Sequence, residues 1–241
     1  MSGRPSERHV IAYLAFMGIL LAFGIDISLP ALDEIRPAFG LGPDSNQVTL
    51  IITLYFLGMA GGQIIYGPFA DRFGRAPVLR VGILIYALGA AGSTLAPNIE
   101  LLFASRLVWG FGAAAPGVLR LAVARDLYQG NQMARVMSIT MAFFLIGPIL
   151  VPLVGEGILS LGSWRWVFAA ALILAAVLFT WTFRFGETLD PANKRPLELG
   201  ATLAALRLVL GTRSTMAYLA AMTFGSGAFI LFLGSSQPIF D

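Results

Sequence analysis

Residues 67–77 read Gly67-Pro68-Phe69-Ala70-Asp71-Arg72-Phe73-Gly74-Arg75-Ala76-Pro77. Apolar stretches flank them, near 48–69 and 77–96, each long enough for the ~20-residue helix that crosses a bilayer. The segment is therefore expected to be a tight turn between two membrane helices. Gly67 would let backbones approach closely, and Gly74 can take a positive φ. Pro77 suits the first turn of the next helix. Asp71, Arg72 and Arg75 form a compact charge cluster at the membrane edge. Arginines alone would mark an ordinary cytoplasmic loop. An acid set among small residues and arginines in so short a loop is unusual.

The composition agrees with a membrane chain. Of 241 residues, 57% are hydrophobic and 12% are charged, about half the charged share of a soluble domain. Mean hydropathy is +0.80. So much apolar surface exceeds what one aqueous core can hide, which excludes a soluble globular domain and a disordered chain. There is no cysteine and only one histidine, His9. Disulfides, thiolate metal sites and a cysteine nucleophile are excluded, and no metal site or cofactor is expected. The formal charge of +3 is read as cytoplasmic loop charge rather than nucleic-acid binding.

Outward from residues 67–77, seven apolar spans are expected, near 10–32, 48–69, 77–96, 99–119, 136–160, 166–184 and 215–235. The first is too long for a signal-peptide core and lacks a small-residue cleavage site, so it should remain as an anchor. Counting from the N-terminus, the loops on one side hold Arg4, Arg8, Arg72, Arg75, Arg80, Arg120, Arg125, Arg135, Arg184, Lys194, Arg195, Arg207 and Arg213. The other side holds Arg36 and Arg165, while Arg106 falls inside a span. The basic side is expected to be the cytoplasm, with the N-terminus in it. The longest outer loop, about 33–47, carries Asp33, Glu34 and Asp44. The chain divides into a six-helix block (1–184), a cytoplasmic connection (185–214) and one further helix (215–241). Within the connection, GETLDPANKRP reads as a polar linker. Residues 197–210 read as an amphipathic helix at the inner interface.

Two charges stand out within spans. Asp26, in Gly24-Ile25-Asp26-Ile27-Ser28-Leu29-Pro30, lies ~7–8 Å from the first helix midpoint toward the outside, at 1.5 Å per residue. Arg106 lies at a comparable depth in the fourth span. Charges at such positions normally face a cavity or a partner. The two are expected to share one aqueous cavity and to exchange partners as a proton or cationic substrate comes and goes. The plainer alternatives place Asp26 in the outer headgroup layer and let Arg106 snorkel to the interface. In the fifth span Gly147, Pro148, Pro152 and Gly155 describe a bent helix with small faces. Glu156 follows them and reads as a wet residue at the outer mouth, or as a second acid if it faces the cavity. Phe143 and Phe144 could line a cavity, but packing against lipid or a helix is the commoner fate.

The pattern G-x-x-x-D-R-x-G-R resembles motif A of the major facilitator superfamily, in the matching loop. The resemblance implies that Asp71 latches onto the other helix bundle, with Arg72 and Arg75 in a charge relay. Ala76 stands where the family usually has a second basic residue. Arg106-Leu107-Val108-Trp109-Gly110-Phe111-Gly112 resembles motif B, and Gly147 to Gly155 resembles the antiporter motif C. Together with Asp26-x-x-Leu29-Pro30-Ala31-Leu32, Arg125-Asp126-Leu127-Tyr128, Gly162-x-Trp164-Arg165 and Ser235-Ser236-Gln237-Pro238, these segments look like the Bcr/CflA-type drug-resistance subfamily. The implied fold is all-α: a six-helix bundle built as a three-plus-three inverted repeat, followed by a seventh membrane helix that begins a second bundle. The implied activity is proton-coupled export of drug-like or metabolite-like small molecules from a bacterium across its inner membrane. Asp26 would bind proton or cation, and Arg106 would influence proton release.

With one bundle in the chain, either a C-terminal half or a second chain is expected to complete the transporter, and a fragment is the expected case. A non-transporting remnant that binds other membrane proteins is the alternative. No G-x-x-x-x-G-K-[ST], G-x-S-x-G or H-E-x-x-H occurs, so neither ATP-driven transport nor a membrane enzyme is expected.

Overall fold

The structure is a computed structural model that describes residues 6–42, 45–197 and 199–236. Arg4, Asp44, Gln237 and Pro238 lie outside them. The helices are α1 (Glu7–Asp26), α2 (Leu32–Ala38), α3 (Leu50–Phe73), α4 (Arg75–Leu95), α5 (Ile99–Leu127), α6 (Gly130–Leu159), α7 (Trp164–Phe185), α8 (Leu199–Gly211) and α9 (Arg213–Ser236). The described residues contain no strand. Among the described residues, six helices are long and apolar enough to cross a membrane: α1, α3 with the 3₁₀ turn before it, α4, α5, α6 and α7. The chain divides after Pro196 into two compact units. The second contains α8, where an interfacial helix was expected, and α9, which coincides with the seventh expected span.

Helix ends follow local chemistry. Ser6 accepts from the His9 N–H, Asn98 from Leu101 and Ser163 from Arg165, which starts α1, α5 and α7. The first helix stops at Asp26, earlier than its apolar run suggests. Successive i to i+3 bonds, Leu29 N–H to Asp26 O and Ala31 N–H to Ser28 O, tighten the chain into a turn before α2. Pro30 cannot donate a backbone bond there. In contrast, α5 runs about two turns past its expected end, to Leu127.

In the first unit α3 packs on α5 as α1 packs on α6, and α4 packs on α5 as α1 packs on α7. The pairs α4–α7 and α1–α5 close the bundle. Exchanging α1 with α5, α3 with α6 and α4 with α7 converts each of these pairs into another of the set or into itself. Because successive spans alternate in direction, this is the packing of an inverted three-plus-three repeat.

The tightest seams lie along α5. A Cβ on Gly110 would fall on the Tyr55 carbonyl, and one on Gly58 would fall on the Leu107 carbonyl, between α3 and α5. On the other side, Gly112 abuts the Tyr86 backbone and Gly89 abuts the Trp109 backbone, between α4 and α5. In a bilayer, where lipid is as apolar as leucine, such close backbone approach is what holds helices together. Gly67 differs from its expected role: it faces open space, and the close approach occurs at Gly58 instead.

Gly110→Ala is expected to destabilise the first unit by roughly 1–3 kcal/mol, the usual effect of overpacking. Gly61→Ala, whose added Cβ meets open space, should be neutral or stabilising by up to about 1 kcal/mol through helix propensity. Thermal unfolding in detergent compares them, and equal Tm values would contradict the seam.

Candidate functional site

Two glycines, Gly74 and Gly186, and one acid, Glu187, shape the turn between α3 and α4. Gly74 ends α3 with its N–H on the Ala70 carbonyl at 3.1 Å and takes φ +105°. A side chain there would be strained and would also strike the Glu187 carboxylate. That carboxylate sits over the start of α4. Oε1 accepts from the Arg75 N–H at 2.9 Å and Oε2 from the Ala76 N–H at 3.1 Å. Pro77 has no N–H, so two acceptors serve the first three positions of the helix. Oε1 also accepts from the Thr188 and Leu189 N–H groups. Glu187 follows Gly186, which ends α7 at φ +83°. One carboxylate therefore joins the end of α7 to the start of α4.

Beside it, the Arg75 guanidinium bridges two acids. Its Nη1 meets Asp71 Oδ1 at 2.5 Å and its Nε meets Asp126 Oδ2 at 3.0 Å. The Thr188 hydroxyl donates to the same Asp126 oxygen at 3.0 Å. The Arg75 side chain is 11% exposed and Asp126 15%, whereas Asp71 is 40% exposed, which leaves its carboxylate open to a further partner. Arg72 is exposed and forms no ion pair with the described residues. The expected linker is not free here: Leu189 is buried, and the Arg195 N–H donates to the Asp71 carbonyl at 3.1 Å.

Arg106 stands at the other end of the bundle and is completely buried. Its Nε donates to the Ile51 carbonyl at 3.1 Å and Nη2 to the Gly24 carbonyl at 3.1 Å, with Ser28 Oγ at 3.4 Å. The guanidinium carbon lies 4.6 Å from the Tyr55 ring centroid, 4.7 Å from Trp109 and 5.7 Å from Phe168. Carbonyl dipoles and aromatic faces together stabilise the desolvated cation. Nη1 and the Tyr55 hydroxyl are buried with no partner among the described residues. Arg106 therefore does not snorkel but ties α1, α3, α5 and α7 together.

Asp26 closes α1 and is 7% exposed, beneath Ile27 and Ala31, which are fully buried. Its carboxylate has no ion pair or hydrogen bond among the described residues. Arg106 grips the chain on both sides of it, at Gly24 and Ser28, without pairing with it. Along α6, Pro148 and Pro152 lie inside an unbroken helix. Gly147 packs on Ala22 and Gly155 on Pro30 and Ile27, which seats α6 against α1 and the turn after it, on both sides of Asp26 in sequence. Glu156 and Phe143 are exposed, and Phe144 is half-buried.

Sequence reasoning gave no role to Glu187 or to Asp126. Both were detectable as acids at the basic ends of helices, Asp126 beside Arg125 and Glu187 just past Arg184 and Gly186.

The sequence profile described as the Major Facilitator Superfamily matches residues 14–240. The chain is 32% identical over 244 residues to a bicyclomycin resistance protein homolog of Haemophilus influenzae, covering 100% of this chain and 60% of that protein. It is 29% identical over 196 residues to multidrug resistance protein D of Escherichia coli, covering 80% of this chain and 48% of that protein. Among solved structures it is similar to the xylose transporter XylE from E. coli in a partially occluded inward-open conformation. The TM-score is 0.69 at 15% identity, over 93% of this chain and 59% of that one. The chain spans about 60% of the length of the first curated relatives it matches.

Glu187→Ala removes the acceptor shared by α4 and the chain leaving α7. Loss of a cap of this kind costs about 1 kcal/mol, so tryptic cleavage after Lys194 should accelerate by roughly fivefold. An unchanged cleavage rate would show that Glu187 does not fasten the segment.

Proposed function

The chain belongs to the major facilitator superfamily, and from that premise we propose that it forms the N-terminal part of a proton-coupled exporter of drug-like or metabolite-like small molecules. It is a multi-pass membrane protein of a transporter family, not an enzyme. The observation that carries the mechanistic reading is the buried Asp26 carboxylate, which has no ion-pair partner among the described residues and lies in a chain segment clamped by Arg106. A carboxylate buried without a partner is stable when protonated and calls for a cation when ionised. That is the behaviour an exchange of proton against substrate requires.

In this reading Asp26 binds proton or cationic substrate in alternation. Arg106 influences proton release by supporting the backbone around Asp26 rather than by pairing with it in this conformation. Asp71 acts at the opposite end. Its open carboxylate is the group that would engage a second bundle and hold one state of the cycle. Gly67, Arg72, Gly74 and Arg75 belong to that gate, with Asp126 and Glu187 as its fixed support. Gly147, Pro148, Pro152 and Gly155 keep α6 close to α1 and limit leakage. Residues 1–184 make the bundle, 185–214 the connection, and 215–241 the first helix of a second bundle supplied by more chain or by another copy. The N-terminus and the arginine-rich loops face the cytoplasm of a bacterium, and the protein sits in its inner membrane.

The names of the relatives suggest bicyclomycin and chloramphenicol as the first compounds to test, within a wider panel of amphiphilic drugs. Expression of the full-length protein in an efflux-deficient host should raise tolerance to at least one compound. Asp26→Asn should abolish that tolerance and the efflux driven by a pH gradient, while the protein still reaches the membrane. PH-driven efflux that persists in Asp26→Asn would refute the role given to Asp26, and no gain in tolerance across the panel would count against export.

A further inference from the structure

Arg120 is absorbed by neither end of the site described above. It lies on α5, seven residues before that helix ends at Leu127. At such a position an arginine ordinarily extends toward the headgroups. Arg120 instead turns into the bundle, because side chains on a helix lean toward its N-terminus, which here means away from the arginine-rich end. The edge of its guanidinium fills the space where a side chain on Gly18 would stand, near the middle of α1. The Phe144 ring centroid, on α6, lies 5.4 Å from the guanidinium carbon.

Nε and Nη1 are fully buried and have no hydrogen-bond partner among the described residues, although the residue as a whole is only half-buried. Arg106 answers the same problem with two carbonyls and a hydroxyl. The acids on the neighbouring helices are at other levels or already engaged. Glu7, at the start of α1, faces Arg135 at 3.8 Å. Asp26 is eight residues further along α1 than Gly18, ~12 Å at 1.5 Å per residue. Asp126, on α5 itself, is held by Arg75 and Thr188. Glu156, on α6, is exposed and near the far end of that helix. A guanidinium inside a membrane bundle with buried, unanswered donors marks a binding position by default. Its planar pair of N–H groups matches a carboxylate.

We propose that Arg120, with Gly18 leaving it room and Phe144 beside it, binds the carboxylate of transported amphiphiles. The inference rests on the transport reading and deepens it by naming a substrate class, compounds with an anionic group on an apolar body. Phe144 supplies the apolar contact, and Arg120 fixes the charged end.

The test uses two fluorescent probes that share one ring system, dansylglycine with a carboxylate and dansylcadaverine with an ammonium group. Binding is measured on the full-length protein in nanodiscs, with wild type, Arg120→Gln and Arg120→Lys. Arg120→Gln should weaken dansylglycine by about tenfold or more, the loss expected when a charge-assisted pair is removed, and should change dansylcadaverine by less than about twofold. Arg120→Lys, which keeps the charge but not the fork, should fall between wild type and Arg120→Gln for dansylglycine alone. The inference is overturned if wild type does not bind dansylglycine, if Arg120→Gln binds it as wild type does, or if both variants lose both probes alike. Since the readout is binding, failure of pH-driven efflux would strike the transport reading and leave this selectivity measurable. Efflux with a dansylglycine affinity indifferent to Arg120 would strike only this inference.

Discussion

The backbone-to-backbone approach of α5 to α3 and α4 governs the rest of the bundle. Gly58, Gly89, Gly110 and Gly112 bring three helices so near that no methyl group fits between them. Only at that spacing can one arginine side chain on α5 reach the Ile51 carbonyl on α3 and the Gly24 carbonyl on α1 together. The same spacing sets Tyr55, Trp109 and Phe168 around the guanidinium at cation–π distance. A desolvated charge is tolerable where dipoles and π-faces surround it, and nowhere else in an apolar bundle. The glycines and Arg106 thus form one device. Its product is a rigid turn after α1, and on that turn sits Asp26.

The two ends of the first unit handle charge in opposite ways. At the Arg106 end, the cation binds the chain on either side of Asp26, while the buried carboxylate has no ion pair or hydrogen bond among the described residues. At the arginine-rich end, three carboxylates are fixed by one guanidinium, one hydroxyl and four backbone N–H groups. Asp71 and Glu187 both keep substantial exposure there, but the Glu187 carboxylate is taken up by backbone N–H groups, whereas Asp71 meets one guanidinium edge. One end thus buries a single carboxylate without a partner, and the other ties its carboxylates into a shared network.

Much of the fold was legible because membrane spans are written as long apolar runs and the loops as runs of arginine. The turn at Gly74 was legible as well, since the sequence there leaves few backbone options. Long-range pairing was not. Asp126 and Arg75 are 51 residues apart and Glu187 and Arg75 are 112 apart, and no local pattern announces either contact. The end of α1 was misplaced because Leu29, Ala31 and Leu32 continue the apolar run after the helix has turned. Hydropathy reports burial, and Ile27 and Ala31 are buried, but in a turn. Gly67 was assigned a close contact that Gly58 makes, for a glycine in sequence does not say which of its neighbours comes near. Arg120 was counted as a loop charge because its helix runs on past the apolar stretch.

Glu187 has a mechanical consequence. The segment after α7 is pinned at both ends, by the Glu187 carboxylate on the first turn of α4 and by the Arg195 N–H on the Asp71 carbonyl. A force applied beyond Pro196 therefore does not simply swing the chain about Gly186. It loads the joint between α3 and α4 directly, with Asp71 at the point of attachment. The segment works as a short rein on the turn between α3 and α4.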